Sequence, residues 1–492
     1  MARAKNVHLV ILIHGLWGSP AHLFAAKEEL ENAWKAKTGG NELETEVVGD
    51  EEDPTITTSL GSGPRGRGGR GGSQGQAEGE GSGQEELVVV IAGGMTSQLT
   101  YDGVDVCASR VAWEVDQEIE KIETRGQNVT RFSVTGYSLG GLVARYLVGL
   151  LHSRTPSFFE KHKPVSFSTI ATPHLGVPRY NTFLSTILIW LGSRLLSRSG
   201  EQLYVTDQYS EQDPRPLLEI MADPTLIFSK ALGQFERIQI FANGVNDHTV
   251  PYPSAAIETV DHFAEWENQG LEVEADEADI ITSWSAPPPD TLEVKKKRGW
   301  GVSIGTLPPV LRYRFPFNYM IMLLFPVMLP LVITLIVSRL ALDTRRSRRR
   351  LQQLSQAPPT STPRRGDQSP SIPSAAGLSI QSLRDAIRRV ERELESDLIE
   401  SMDSPTDEVH HGHVHHKGHS RPHAAVYTKV DLKDSQLRMA LWLNKLPIKK
   451  YITWYPDVAN AHSVSIVRDP TGFPAHNQGR GLLRRWAQGV LS

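Results

Sequence analysis

Apolar residues come along this chain in short, dense runs separated by polar, glycine-rich stretches. Val7-His8-Leu9-Val10-Ile11-Leu12-Ile13 is almost unbroken and rich in β-branched side chains, the pattern of a strand buried on both faces. Runs of the same kind occur at Glu86–Ala92, Phe132–Thr135, Val165–Ile170 and Arg237–Ala242. Between them the spacing turns helical, over 106–123 (Val111, Val115, Ile119, Ile122) and from Leu142 to Leu151. Residues 180–232 are apolar on one side, which predicts helices suited to a cap or lid over a site. Strands alternating with helices predict an α/β fold with a mostly parallel sheet and helices on both faces. Functional groups should then gather at the carboxyl ends of the strands.

Three stretches break this pattern. Residues 39–84 hold a Gly/Arg/Ser/Glu mixture that buries no apolar area, which predicts a disordered insertion inside a core of residues 1–265. A linker at 266–311 leads to the apolar segment Phe315–Val337, part of an anchoring region at 312–345. Residues 346–430 are low-complexity, with one charged helical pattern (Leu383–Leu398) and a His-rich tract, His410 to His423. A last block, 431–470, contains the apolar run Ile448–Trp454. It continues through His462 into a predicted short strand, Ser463–Val467, and residues 471–492 read as a tail.

Composition narrows the picture. At 492 residues the chain is too long for one compact core. A net charge of −4 gives no reason to expect a nucleic-acid partner. The single cysteine, Cys107, excludes an intramolecular disulfide and suits a reducing compartment. The first apolar run starts too early and is too short for a signal-peptide core, so a cytosol-facing protein is expected.

The candidate chemistry centres on Gly136-Tyr137-Ser138-Leu139-Gly140. A Gly-x-Ser-x-Gly turn between a strand and a helix is a nucleophile elbow, in which the serine takes strained backbone angles and small neighbours let strand and helix approach. Ser138 is thus the candidate nucleophile, with Gly136, Gly140 and Gly141 as supports. Acyl transfer also needs a base and an acid to orient it. In α/β-hydrolases these follow in the order Ser, Asp/Glu, His. Asp247, at the end of the run Arg237–Ala242, suits the acid, with Asp261 and Asp223 as weaker choices. His462 suits the base better than His262 or His248, since His248 adjoins Asp247 and their side chains would diverge. The oxyanion donors would be the backbone N–H groups of Leu139 and of Leu16, in the His14-Gly15-Leu16 turn after the first strand. This chemistry requires no cofactor. The His tract holds seven of the chain's 17 histidines but lacks the spacing of a closed metal site, so no metal is expected.

Three blocks carry a family resemblance: Val10–Leu16, Gly136–Arg145 with Gly-Tyr-Ser-Leu-Gly-Gly-Leu-Val-Ala-Arg, and Ala171-Thr172-Pro173-His174-Leu175-Gly176. Together they resemble the fungal serine esterase family of lipases within the α/β-hydrolases, over residues 5–263 and more loosely 436–470. The resemblance implies an acyl hydrolase of phospholipids or acylglycerols, with Ser138, Asp247 and His462 at the family's triad positions. A thioesterase of the same fold, or a silent membrane scaffold, are the alternatives.

A straight 23-residue helix over Phe315–Val337 would be about 35 Å long, enough to cross a bilayer. Crossing would put Ser138 and His462 on opposite sides, however. A hairpin bent near Pro326–Pro330, or a segment lying in the interface, keeps them together. Arg312, Arg314 and the run Arg345–Arg350 favour both flanks on one side. The expected location is the cytosolic face of a membrane, a lipid droplet or the endoplasmic reticulum, with lipid as partner and substrate.

Overall fold

The computed structural model describes residues 5–39, 44–48, 55–60, 85–178, 192, 194–264, 266–285, 317–356 and 428–492. Its centre is one sheet built from β1 (Asn6–Ile13), β2 (Glu44–Val48), β3 (Thr55–Leu60), β4 (Glu85–Ile91), β5 (Asn128–Tyr137), β6 (Lys163–Ile170), β7 (Arg237–Asn243) and β8 (Ile448–Thr453). Their spatial order is β8-β7-β6-β5-β1-β4-β3-β2. The six strands from β8 to β4 are parallel, and β3 and β2 add an antiparallel edge. The α/β expectation therefore holds, with a mixed sheet.

The buried strand β1 shows why helices cover both faces. Val7, Leu9, Ile11 and Ile13 pack into one cluster with α2 (Val104–Thr124) and α3 (Leu139–His152). The alternate residues Val10 and Leu12 pack into a second cluster with Leu30 and Trp34 of α1 (Phe24–Thr38). Period-two alternation sends these two sets to opposite sides. The chain leaves β1 toward β4 on one side and returns to β5 on the other. The carboxyl ends of β1 and β5 thus flank the switch point of the sheet, where open α/β sheets place their ligands.

Several sequence expectations need correction. The stretch 39–84 is not wholly a disordered insertion: its Thr-, Val- and Ile-bearing parts form β2 and β3, with β3 pairing on the otherwise open edge of β4 and β2 pairing on β3, while 40–43, 49–54 and 61–84 lie outside the described residues. The linker at 266–311 contains an antiparallel pair, Glu272–Ala275 with Ile281–Ser285. The 471–492 tail ends in α5 (Arg480–Leu491), whose Leu482, Leu483, Trp486 and Val490 recur at helical spacing and are fully buried on the α1 face. Trp486 Nε1 donates to Thr135 Oγ1 of β5 at 3.0 Å, fixing α5 to the centre of the sheet.

The apolar segment does not bend at Pro326–Pro330. Its backbone runs on as one helix, α4 (Phe317–Gln356), a rod of about 60 Å by the helical rise. Among the described residues no helix is long and apolar enough to cross a membrane. The region expected to cap the site contributes short helices at Ser197–Leu203, Leu217–Ala222 and Ile227–Leu232. The Leu383–Leu398 pattern and the His410–His423 tract lie outside the described residues.

Candidate active site

Ser138 terminates β5 and precedes α3, with φ 54° and ψ −126°, a region that non-glycine residues occupy only when their surroundings force it. The forcing is steric. A Cβ on Gly136 would lie 2.3 Å from the Gly140 carbonyl oxygen, and one on Gly140 only 2.2 Å from that of Ile13. Strand, turn and helix are therefore closer than any side chain allows. The turn after β1 presses on the same point, since a Cβ on Gly15 would meet the Ser138 Cβ at 2.7 Å.

The structure brings the other two predicted groups to this serine. His462 Nε2 lies 3.1 Å from Ser138 Oγ, across 324 positions of chain, and His462 Nδ1 lies 3.0 Å from Asp247 Oδ2. Ser138 and His462 are 7% and 6% exposed, so each keeps a small accessible face in an otherwise buried setting. His462 sits on a short helix, Ala461–Val464, and not at the start of a strand; the expected strand Ser463–Val467 does not form. Asn460 caps that helix, its side chain accepting the His462 N–H. The Tyr137 hydroxyl donates to the His462 carbonyl at 3.2 Å, and the two rings lie 4.9 Å apart. Asn246 donates to the carbonyls of Tyr455 and Pro456, tying the turn that carries Asp247 to the segment that carries His462.

The acid is held as firmly. Asp247 Oδ1 accepts the N–H groups of Thr249 and Val250 at 3.0 and 2.8 Å. Its Oδ2 accepts from Asn243 Nδ2 at 2.7 Å. Asn243 in turn accepts hydroxyls from Thr453 of β8 and Ser465, both at 2.8 Å. Burial alone would raise the Asp247 carboxyl, but the adjacent His462 imidazole and these donors hold it below the ordinary 3.8. An ionised carboxylate at this place fixes the tautomer that leaves His462 Nε2 free to accept a proton.

The weaker alternatives lie elsewhere in the network. Asp223 is paired with Arg215, and Asp261 bonds the Phe263 N–H beside the short strand pair at the edge of the core. His262 packs against Tyr252 and Trp284. His14 is fully buried, its ring nitrogen Nδ1 bonding the Gly15 carbonyl at 3.0 Å, and burial pushes it down to about 4. It shapes the turn and carries no charge at neutral pH.

Gly15, Leu16, Trp17, Gly18, His22, Asn460 and Arg468 line a small cleft of about 80 Å³ with Ser138 and His462. Leu16 and Leu139 thus stand on the two backbone turns that meet at the serine, one at the end of β1 and one at the start of α3. The supports Tyr137, Asn243, Asn246 and Asn460 were missed in the sequence. Only Asn460, two residues before His462, carried a local signal, that of a helix cap.

Residues 3–58 and 76–258 match the putative serine esterase family (DUF676). The chain belongs to this family. Among curated proteins it is similar to a putative lipase of Schizosaccharomyces pombe, 37% identical over 131 residues that cover 26% of this chain and 16% of that protein. It is also similar to the putative lipase ROG1 of Saccharomyces cerevisiae, 28% identical over 204 residues, 41% of this chain and 28% of that protein. The chain therefore spans less than a third of the length of the curated relatives it matches. A solved gene product of Listeria innocua aligns at 15% identity over 50% of this chain and 76% of its own, with a TM-score of 0.26, too low to add to the topology above.

Proposed function

We propose that this family member cleaves acyl esters of lipids at a membrane or lipid-droplet surface through an acyl-enzyme. The observation that carries the reading is the continuous relay from Ser138 through His462 to Asp247. His462 Nε2 takes the Ser138 hydroxyl proton as Oγ attacks the ester carbonyl, and Asp247 stabilises the imidazolium. The Leu139 and Leu16 N–H groups receive the developing oxyanion, aided by the positive end of α3. His462 then protonates the leaving alcohol, and water, deprotonated by the same imidazole, releases the acid. The strain at Ser138 argues for chemistry over scaffolding, since a binding module has no use for it.

The apolar run Phe315–Val337 supports a lipid surface as partner, and the basic residues on both its flanks, Arg312 and Arg314 before it and Arg345 to Arg350 after it, favour the cytosolic face of the endoplasmic reticulum or a droplet as location. Arg468 is the Arg or Lys among the described residues lining the cleft, and it favours an ester that carries a phosphate over a neutral acylglycerol. Fluorophosphonate labelling and fatty-acid release from phosphatidylcholine, triacylglycerol and acyl-thioester substrates test this. Labelling should vanish in Ser138→Ala, with release greatest from the phospholipid. Labelling that survives the substitution overturns the reading, and release confined to thioesters replaces its substrate.

A further inference from the structure

Helix α4 meets the core around a buried acid, with Thr344 donating to the Leu195 carbonyl and Arg348 pairing with Glu201 beside it. Asp102 lies at the end of the turn Ser97–Asp102, after β4, with its side chain fully buried. Arg350 of α4 grips it with two nitrogens, Nη2 to Oδ1 at 2.7 Å and Nε to Oδ2 at 3.1 Å. Ser347 of α4 donates to Oδ1 at 2.6 Å, and Arg110 of α2 pairs with Oδ2 from the other side. Arg350 also bonds the Gln98 carbonyl, and Ser197 donates to the Ser347 hydroxyl at 3.1 Å. A planar guanidinium on a buried carboxylate fixes orientation as well as distance.

The same turn holds the loop beside the nucleophile. Trp17 Nε1 donates to the Tyr101 hydroxyl at 2.6 Å, and the Trp17 N–H donates to Thr100 Oγ1 at 3.3 Å. The Ser97 N–H donates to the Gly18 carbonyl at 3.0 Å. Trp17 and Ser97 both hold positive φ, 55° and 47°, conformations that need support from outside the residue. Hydrogen bonds from α4 and from the peptide next to Leu16 thus meet on one short covalent turn, Ser97–Asp102.

We propose that Asp102, Ser347 and Arg350 are positioning residues of the reaction, a latch through which α4 holds the Gly15–Gly18 loop in register with Ser138. Resting on the serine-hydrolase reading and on Leu16 as an oxyanion donor, it explains how a helix with its apolar end in a lipid surface acts on a cleft it does not line. Seating that end steadies α4, α4 steadies the turn, and the turn steadies the donor. An oxyanion donor acts in the transition state, so loosening it lowers kcat and leaves KM.

Arg350→Ala in the full chain, assayed on a water-soluble nitrophenyl ester, should lose about tenfold in kcat with KM within about twofold. Arg350→Lys, which keeps the charge but not the fork, should recover only part. Ser347→Ala should move kcat the same way by less. Vesicles of ether-linked phosphatidylcholine, which offer no acyl ester, should raise kcat of the wild type and leave Arg350→Ala unchanged. A kcat in Arg350→Ala within twofold of wild type, or a fall accompanied by lost thermal stability and raised KM, overturns the latch. So does equal activation of both proteins by vesicles. If Ser138→Ala itself still turns over the ester, it is the serine reading that fails, and not the latch alone.

Discussion

The nucleophile and the base are held in opposite ways. Ser138 is fixed largely by its neighbours in sequence: a strand before it, a helix after it, and glycines that let the turn close on that helix and on the end of β1. His462 is fixed by groups far away along the chain, Asp247, Tyr137 and the turn at Asn246, with Asn460 as its one local support. Local steric necessity leaves a motif behind. Long-range hydrogen bonding leaves single residues whose meaning appears only when they meet.

If the two groups nonetheless act as a unit, breaking either should stop the reaction equally. His462→Ala and Ser138→Ala are each expected to lower kcat by about 10⁵-fold or more, and the double variant by no more than the worse single one. Steady-state hydrolysis of a soluble ester reads this, and additive losses would dissolve the unit. Asp247→Asn should keep the geometry but favour the wrong tautomer, costing about 10⁴-fold in kcat. It also reports on the acid's charge. The folded carboxyl lies below its ordinary 3.8, so its stabilising contribution is complete above that value and is lost as pH falls through the folded value. The stability gap between wild type and Asp247→Asn in urea should therefore hold steady down to about pH 4 and narrow below it; a gap that widens there contradicts the shift.

The elbow should respond differently, through folding. Gly140→Ala places a carbon 2.2 Å from the Ile13 carbonyl oxygen, a backbone clash with no side chain to move aside. A loss of about 3 kcal/mol or more in unfolding free energy is expected by chemical denaturation. At His462 the smallest effect should come from the second layer. Asn243→Ala removes one donor from Asp247 and takes one acceptor from each of the Thr453 and Ser465 hydroxyls, which keep the Ala242 and Ala461 carbonyls. About tenfold in kcat at unchanged KM is the expected outcome of kinetic assay. If Gly140→Ala is instead neutral and Asn243→Ala abolishes folding, the contrast between the two regions is inverted.

The same distinction explains which parts of the fold were legible. β1, β4, β5, β6 and β7 are buried on both faces, so each is a dense apolar run that no surface helix imitates. The edge strands β2 and β3 are short and polar, and the glycine-rich stretch beside them masked the β-branched residues they contain. Helix α5 had the right spacing in Leu482, Leu483, Trp486 and Val490, but its arginines and its place after a loop disguised a core element as a tail. Pro326 and Pro330 suggested a bend in 315–337, yet the backbone of α4 continues through both. Proline removes one donor and strains one turn, which a long helix tethered at its far end withstands.

By itself, then, the order of residues determined the parallel core, the elbow at Ser138 and the chain order of the three reactive groups. These depend on burial and on sterics between near neighbours, both written in residue type and spacing. Only the tertiary structure decided that His462 reaches Ser138, that Asn243 and Tyr137 hold the acid and the base, and that Arg350 closes on Asp102. Each of those is a directional bond between groups more than a hundred positions or a whole loop apart, and no periodicity along a chain encodes a direction in space.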